Sequence, residues 1–162
     1  MIATPHILIG AMIGAKIKKI GWIIILALLS HFVLDRILHW DYGNGILEKF
    51  TKNKYRKEVF VFLAKVFFDI LIGLSIVFLI TWQKDKLEIN YLILVFIGIC
   101  ASVFPDFLTV LAKFTPKIKL SKKYIKFHEE IMHNPKHIHK LTFIGLGTEV
   151  LVSLIAILIL LL

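Results

Sequence analysis

The sequence predicts an all-α protein, an integral membrane helical bundle with four long transmembrane helices and a short N-terminal membrane or re-entrant helix. Of the 162 residues, 58% are hydrophobic, against roughly 45–50% in ordinary soluble domains. Four apolar runs approach or exceed the roughly 20 residues that a helix needs to cross a bilayer. The basic residues lie almost wholly between these runs, as topology signals do.

The long spans are predicted at residues 20–38, 59–82, 91–112 and 141–162. Residues 4–15 form a shorter apolar run, roughly 18 Å long as a helix, which predicts a short span, a re-entrant helix or an interfacial helix. Gly10 and Gly14 in this run form a GxxxG pattern, which allows close helix approach. By length the chain is one domain, a single transmembrane domain over residues 1–162.

Two polar loops carry most of the positive charge and predict the orientation. The loop after the first long span and the loop before the last hold 14 Lys and Arg residues, against five on the other side. The positive-inside rule therefore places both loops in the cytoplasm and the C-terminus outside. No nucleic-acid partner is expected, because no recognition motif accompanies the charge of +9. Membrane lipids are the expected partners, and the basic run 113–126 is either a site for anionic headgroups or simple topogenic charge.

A stripe of histidine and aspartate ends the first long span. In SHFVLDRILHWDYG, residues 30–43, His31, Asp35 and His39 recur at intervals of four and share a helix stripe roughly 80° wide. They rise about 12 Å, which is too far for one ion to bind all three, but adjacent pairs suit a metal. We predict His31 and Asp35 as the core pair, with His39 and Asp41 as a supporting pair at the membrane surface. The alternative is a hydrogen-bonded polar seam between packed helices.

Three acids lie within the later spans. Asp69 lies about ten residues into its span, where a charged carboxylate costs about 2.5–3.5 kcal/mol. It is predicted either to serve a metal site or to be neutralised by Lys65, one turn earlier. Asp106 follows Pro105, and a proline kink would free backbone carbonyls beside this carboxylate. Glu149 has no basic residue within one helical turn.

The segment KFHEEIMHNPKHIHK contributes two further candidate ligands, His128 and His133. They are five residues apart, so the HExxH spacing of zinc proteases is absent. With the predicted orientation, most candidate ligands converge on the cytoplasmic face: His6, His39, Asp41, Asp106, His128 and His133.

Four short motifs are distributed over most of the chain: TPHILIGA at the start, SHFVLDRILHWDYG, the FPD of the third long span, and HEEIMH. Together they resemble the predicted membrane-bound metal-dependent hydrolases. The resemblance implies metal ligands at His6, His31, Asp35, Asp106, His128 and His133. It also implies a hydrolase activity, which in that family is itself inferred from motif similarity to zinc-dependent phospholipase C.

The residues and the resemblance together predict a membrane-embedded, metal-dependent hydrolase that acts on an ester or phosphoester, with a lipid as a candidate substrate. A divalent metal is the expected cofactor, with zinc favoured and manganese or iron open. Asp41 or Asp69 is predicted to act as general base or to orient a ligand histidine.

Two other functions remain open at this point. One is an ion or solute transporter, in which the polar path is lined by Asp35, Lys65, Asp69, Asp106 and Glu149. The other is a non-catalytic membrane scaffold held together by the polar seam. The depth of the polar residues in the membrane distinguishes the hydrolase from the transporter. A cluster at one face favours a hydrolase, and a chain of acids across the membrane favours transport.

Overall fold

The computed structural model describes residues 2–37, 39, 56–115, 117–128 and 142–162. These residues form six helices, joined by short connections or by segments outside the described ranges: α1 Ala3–Lys16, α2 Ile20–Arg36, α3 Arg56–Gln83, α4 Ile89–Phe114, α5 Lys119–Ile125 and α6 Thr142–Leu161. No strand occurs in the described ranges, so the all-α prediction is confirmed.

Three helices are long and apolar enough to cross a membrane. They cover Phe60–Gln83, Ile89–Phe114 and Phe143–Leu161. Each end lies within two residues of the corresponding end of a predicted span. The first predicted long span is shorter than expected, because α2 has only 17 residues, or about 26 Å, against a hydrocarbon core of about 30 Å. Within the described ranges, the structure therefore supports a membrane protein with three candidate spans, and the fourth predicted long span is not confirmed.

Helix α1 is the central helix of the bundle. It packs against α2, α3, α4 and α6, and Leu8 and Ala11 have no exposed surface. These residues join an apolar core to which α3 contributes Val77 and Ile80, α4 contributes Val95 and Ile99, and α6 contributes Ala156 and Leu160. The short N-terminal run is therefore a core helix that the longer helices surround.

Glycines bring α1 and α4 into backbone contact. A Cβ atom added to Gly10 would lie 2.5 Å from the carbonyl oxygen of Gly98, and Gly14 faces the backbone of Leu94 and Val95. The close approach predicted from the GxxxG pattern is confirmed. Residue numbers along the contact run in opposite directions, so the two helices are antiparallel.

The outer surface of the bundle is strongly apolar. Phe60 is 73% exposed, Phe96 65% and Trp82 62%, and all three lie in candidate spans. A soluble protein rarely exposes such contiguous apolar surface, whereas a bilayer requires it. The three apolar helices therefore indicate a membrane protein, in agreement with the composition.

Candidate metal centre

The candidate site forms where α2 ends beside the second half of α4. His31 lies next to Ser102, and Asp35 lies one turn further along α2, near Asp106, which is one turn further along α4. The equal spacing shows that α2 and α4 run parallel here. Two polar pairs on different helices therefore face each other at the same level of the bundle.

Four residues bring potential ligand atoms together. One ligand atom each from His31, Asp35, Asp106 and His128 lies within 4.8 Å of the other three. The His31 and Asp35 side chains are at most 1% exposed and that of His128 is 4% exposed, whereas the side chain of Asp106 is 43% exposed. Three of the four residues are thus buried, and Asp106 is partly exposed to the outside of the bundle. The group could hold a metal ion.

The distances within the group are those of a compact site. His31 Nε2 lies 3.1 Å from Asp35 Oδ2, 3.2 Å from His128 Nε2 and 3.8 Å from Asp106 Oδ1. His128 Nε2 lies 3.7 Å from Asp35 Oδ2 and 3.9 Å from Asp106 Oδ1. Tetrahedral zinc with ligand bonds of about 2.0–2.1 Å separates its ligands by about 3.3 Å. Small side-chain movements would therefore bring the four atoms onto one ion.

A backbone carbonyl fixes the orientation of His31. The Nδ1–H group donates a hydrogen bond of 2.8 Å to the carbonyl oxygen of Ser102. Because the carbonyl only accepts, a neutral ring keeps its lone pair on Nε2, which faces the two carboxylates. Metal-binding histidines commonly have this arrangement, with the second ring nitrogen bound to a carbonyl or carboxylate.

His128 enters the site from a wider helical turn at residues 126–128, directly after α5. Its ring stacks on Tyr124, with centroids 5.9 Å apart and planes 22° apart, and it meets Phe32 edge to face. The hydroxyl of Tyr124 donates to the carbonyl of Pro105 at 2.9 Å. Burial raises the pKa of the Tyr124 phenol, so the hydroxyl remains a donor. Tyr124 therefore holds His128 against α4 beside Asp106.

Two backbone carbonyls near Pro105 accept side-chain hydrogen bonds at this end of α4, although the carbonyl that a proline at 105 leaves without its helical donor is that of Ala101. The carbonyl of Pro105 accepts a second hydrogen bond, from Thr109 Oγ1 at 3.0 Å, in addition to that from Tyr124. Ser102, three residues before the proline, offers its carbonyl to His31. The carbonyl of Ser102 thus orients the His31 ring, and the carbonyl of Pro105 orients Tyr124.

His6 lies behind Asp35 and outside the group of four. Its ring is fully buried and contacts the ring of His31 in a tilted arrangement, with centroids 4.4 Å and planes 31° apart. His6 Nε2 approaches Asp35 Oδ1 to 3.2 Å, but neither ring nitrogen has a partner with hydrogen-bond geometry among the described residues. His6 and Asp35 are therefore in close polar contact without hydrogen-bond geometry. Asp35 Oδ1 thus faces His6, and Asp35 Oδ2 faces His31 and His128.

Asp69 and Glu149 face the N-terminus of α1, and neither belongs to the group of four. Asp69 accepts hydrogen bonds from the N–H groups of Ala3 and Thr4 and from the Thr4 hydroxyl. Glu149 Oε1 accepts from the N–H of Ile2 at 3.4 Å. The first N–H groups of a helix lack partners within it and carry partial positive charge. The N-terminus of α1 thus supplies polar partners for the Asp69 carboxylate within a span.

The remaining predicted ligands are distributed as follows. His39 is buried, but its Nδ1 donates to the nearby carbonyl of Ile37 at 2.7 Å, and it is not one of the four. Asp41 and His133 lie outside the described residues. The sequence analysis missed Ser102 and Tyr124. Each lies four residues before a candidate ligand, Asp106 or His128, and that helical spacing was the available signal.

Comparison with models of protein families, with curated proteins and with solved structures gives no match to this chain. No matched protein therefore indicates a function for the site.

Proposed function

We propose that this protein is a membrane-embedded, metal-dependent hydrolase that cleaves an ester or phosphoester at the cytoplasmic membrane face. The observation that carries the proposal is the convergence of His31, Asp35, Asp106 and His128. A divalent metal in such a site lowers the pKa of a bound water toward 7 and polarises the scissile group. Zinc is the proposed ion because mixed histidine and carboxylate ligands suit it, with manganese and iron as competitors.

The charges of the cluster call for a cation at its centre. His31 Nε2 lies 3.1 Å from Asp35 Oδ2, and Asp35 is almost completely buried. A buried carboxylate is costly unless a positive charge or several donors compensate it. A metal ion would compensate all four groups at once, whereas a proton on one imidazole contacts fewer of them.

The open side of the cluster suits a substrate. Asp106, the half-exposed member, lies eight residues before Phe114, where the candidate span of α4 ends. That separation is about 12 Å along the helix, so the cluster lies below the membrane surface near one end of the bundle. A catalytic metal site keeps one coordination position for water or substrate, and the exposed side of Asp106 is the natural place for it.

The family resemblance supplies the reaction class. Of the six ligands that it implies, the cluster contains His31, Asp35, Asp106 and His128. His6 contacts Asp35, and His133 lies outside the described residues. Motifs from distant parts of the chain thus meet in one cluster, which supports the hydrolase proposal. Asp41 remains the proposed general base.

Transport is the weaker candidate. A transporter needs acids distributed along a path across the membrane. Asp69 and Glu149, the two acids of the predicted path that lie outside the cluster, accept hydrogen bonds from the N-terminus of α1. This structural use of the two acids favours a hydrolase over a polar path.

Metal analysis tests the site directly. We expect the wild-type protein, purified with zinc present, to contain about one metal ion per chain by mass spectrometry. The Asp35→Asn and His31→Gln variants should lose it, because each removes a ligand. Asp85→Asn is the matched control, since Asp85 is exposed and asparagine tolerates its φ of 54°. Metal-free wild-type protein, or full metal content in both site variants, would contradict the proposal.

Hydrolysis requires a separate assay. A fluorogenic phosphodiester and a fluorogenic carboxylic ester, each in detergent micelles, are suitable probes. We expect one probe to be cleaved by the metal-loaded protein and not after chelation or by the Asp35→Asn variant. Folded, metal-loaded protein that cleaves neither probe, but carries ions across liposome membranes, would favour the transporter instead.

A further inference from the structure

A basic surface lies beside the open end of the site. Residues 113–126 contain six lysines and no acid. The five exposed lysines of this segment, which we call the lysine surface, are Lys117, Lys119, Lys122, Lys123 and Lys126. The segment begins where the candidate span Ile89–Phe114 ends, and α5 packs back onto α4. The lysine surface therefore lies at the level where the bundle leaves the membrane.

Apolar side chains accompany the lysines. Leu120 is 73% exposed, Ile118 53% and Phe127 38%. The opposite side of α5 is bound to α4, through the Tyr124 hydroxyl and through a hydrogen bond of 2.9 Å between Ser121 and Thr115. Exposed lysines mixed with exposed apolar residues on a docked helix are typical of a segment in the headgroup layer of a membrane.

We propose that the lysine surface binds the headgroups of anionic phospholipids and holds them next to Asp106. The charge complementarity is direct, since lysines at a membrane surface attract anionic lipid, each strengthening binding about fivefold. Tyr124 connects this surface to the site, because its ring stacks on His128 and its hydroxyl binds the carbonyl that precedes Asp106. A bound phospholipid thus has its ester groups near the open side of the cluster.

The assignment of an anionic phospholipid as the substrate rests on the proposed function, whereas the binding of the lipid does not. The two are separable because the lysines and the candidate metal ligands are different residues. A change in the lysines should alter lipid affinity and leave the metal in place. A change in Asp35 should do the reverse.

The test is a lipid titration of the full-length protein in neutral detergent, followed by native mass spectrometry with phosphatidylglycerol or phosphatidylcholine. We expect wild-type protein to prefer phosphatidylglycerol. The triple variant K119Q/K122Q/K123Q should bind it about a hundredfold more weakly. The matched control is K16Q/K18Q/K19Q, which removes three exposed lysines elsewhere and should retain wild-type affinity. The variant K119R/K122R/K123R keeps the charge and should also bind normally.

Several outcomes would overturn the lipid proposal. These are equal affinity of the wild-type protein for the two lipids, equal losses in the two glutamine variants, or tighter binding of a short oligonucleotide than of phosphatidylglycerol. Metal content is measured on the same samples. Asp35→Asn protein that loses metal and keeps phosphatidylglycerol binding supports both proposals. Metal-free wild-type protein that still prefers phosphatidylglycerol contradicts the metal site alone.

Discussion

Four acidic side chains of the helical bundle have two different kinds of polar partner. Asp35 and Asp106 face histidines in the cluster, whereas Asp69 and Glu149 face backbone N–H groups at the start of α1. Both groups are acids in apolar surroundings, where a carboxylate needs compensation. The compensating partner therefore distinguishes a candidate ligand from a structural residue, and the residue type alone does not.

The structural assignment of Asp69 leads to a stability prediction. Asp69→Ala should lower the free energy of unfolding by about 1–3 kcal/mol, because the N–H groups of Ala3 and Thr4 lose their acceptor. An SDS titration in mixed micelles measures this change, with Glu88→Ala as the exposed control, because the Glu88 side chain makes no cap hydrogen bond and its φ is -60°. Metal content should remain at the wild-type level. Wild-type stability combined with lost metal or lost hydrolysis would instead support the sequence prediction that Asp69 serves the reaction.

At the scale of elements, the packing of α1 against α4 determines where the site can form. Gly10 and Gly98 allow the two backbones to touch, and His6 lies one turn before Gly10 on α1. Further along the antiparallel contact, α4 reaches Ser102 and then Asp106. The distance between α1 and α4 thus controls whether His6 can reach the Asp35 carboxylate, which α2 holds against α4.

Widening this contact should damage both stability and metal binding. In Gly10→Ala, the new methyl group would lie 2.5 Å from the Gly98 carbonyl oxygen, so the helices must separate. We expect a loss of about 1–3 kcal/mol in the free energy of unfolding and weaker metal retention during dialysis against a chelator.

Gly147→Ala is the matched control for this prediction. A Cβ atom at Gly147 meets nothing within 4 Å, and alanine has the higher helix propensity, so stability should stay equal or rise by up to about 1 kcal/mol. Equal effects of the two substitutions would show that the close approach of α1 and α4 is unimportant.

At the scale of the whole molecule, the apolar exterior and the basic segments describe a protein in a bilayer. The candidate spans of α3, α4 and α6 present large apolar side chains outward. The lysine surface follows the end of α4, at the same end of the bundle as the cluster. The positive-inside rule predicts that this end faces the cytoplasm.

Cysteine labelling in cells tests this orientation. Cys100 is the only cysteine, so Cys100→Ser gives a clean background. Lys18→Cys and Lys123→Cys replace exposed residues at opposite ends of the bundle. In intact cells, a membrane-impermeant maleimide should label the Lys18→Cys protein alone, and the Lys123→Cys protein should react only after permeabilisation. The reverse pattern would place the cluster on the outer face.

Much of the fold and part of the site follow from local sequence. Apolar length predicts the spans of α3, α4 and α6, and helical spacing predicts the His31 and Asp35 pair, because both depend on residues close together in the chain. The tertiary structure alone decides which helix is central and which acids meet histidines.

The physical reason is that partners across helices depend on how the backbones pack. His31 and His128 are 97 residues apart in sequence, yet their Nε2 atoms lie 3.2 Å apart. For His31, Asp35 and His39, the sequence by itself predicts that the first two lie one turn apart on a helix. The predicted extension of the stripe to His39 is wrong, because α2 ends at Arg36 and Ile37 is extended. Only the packing decides that Asp106 and His128 join the first two and that His39 does not.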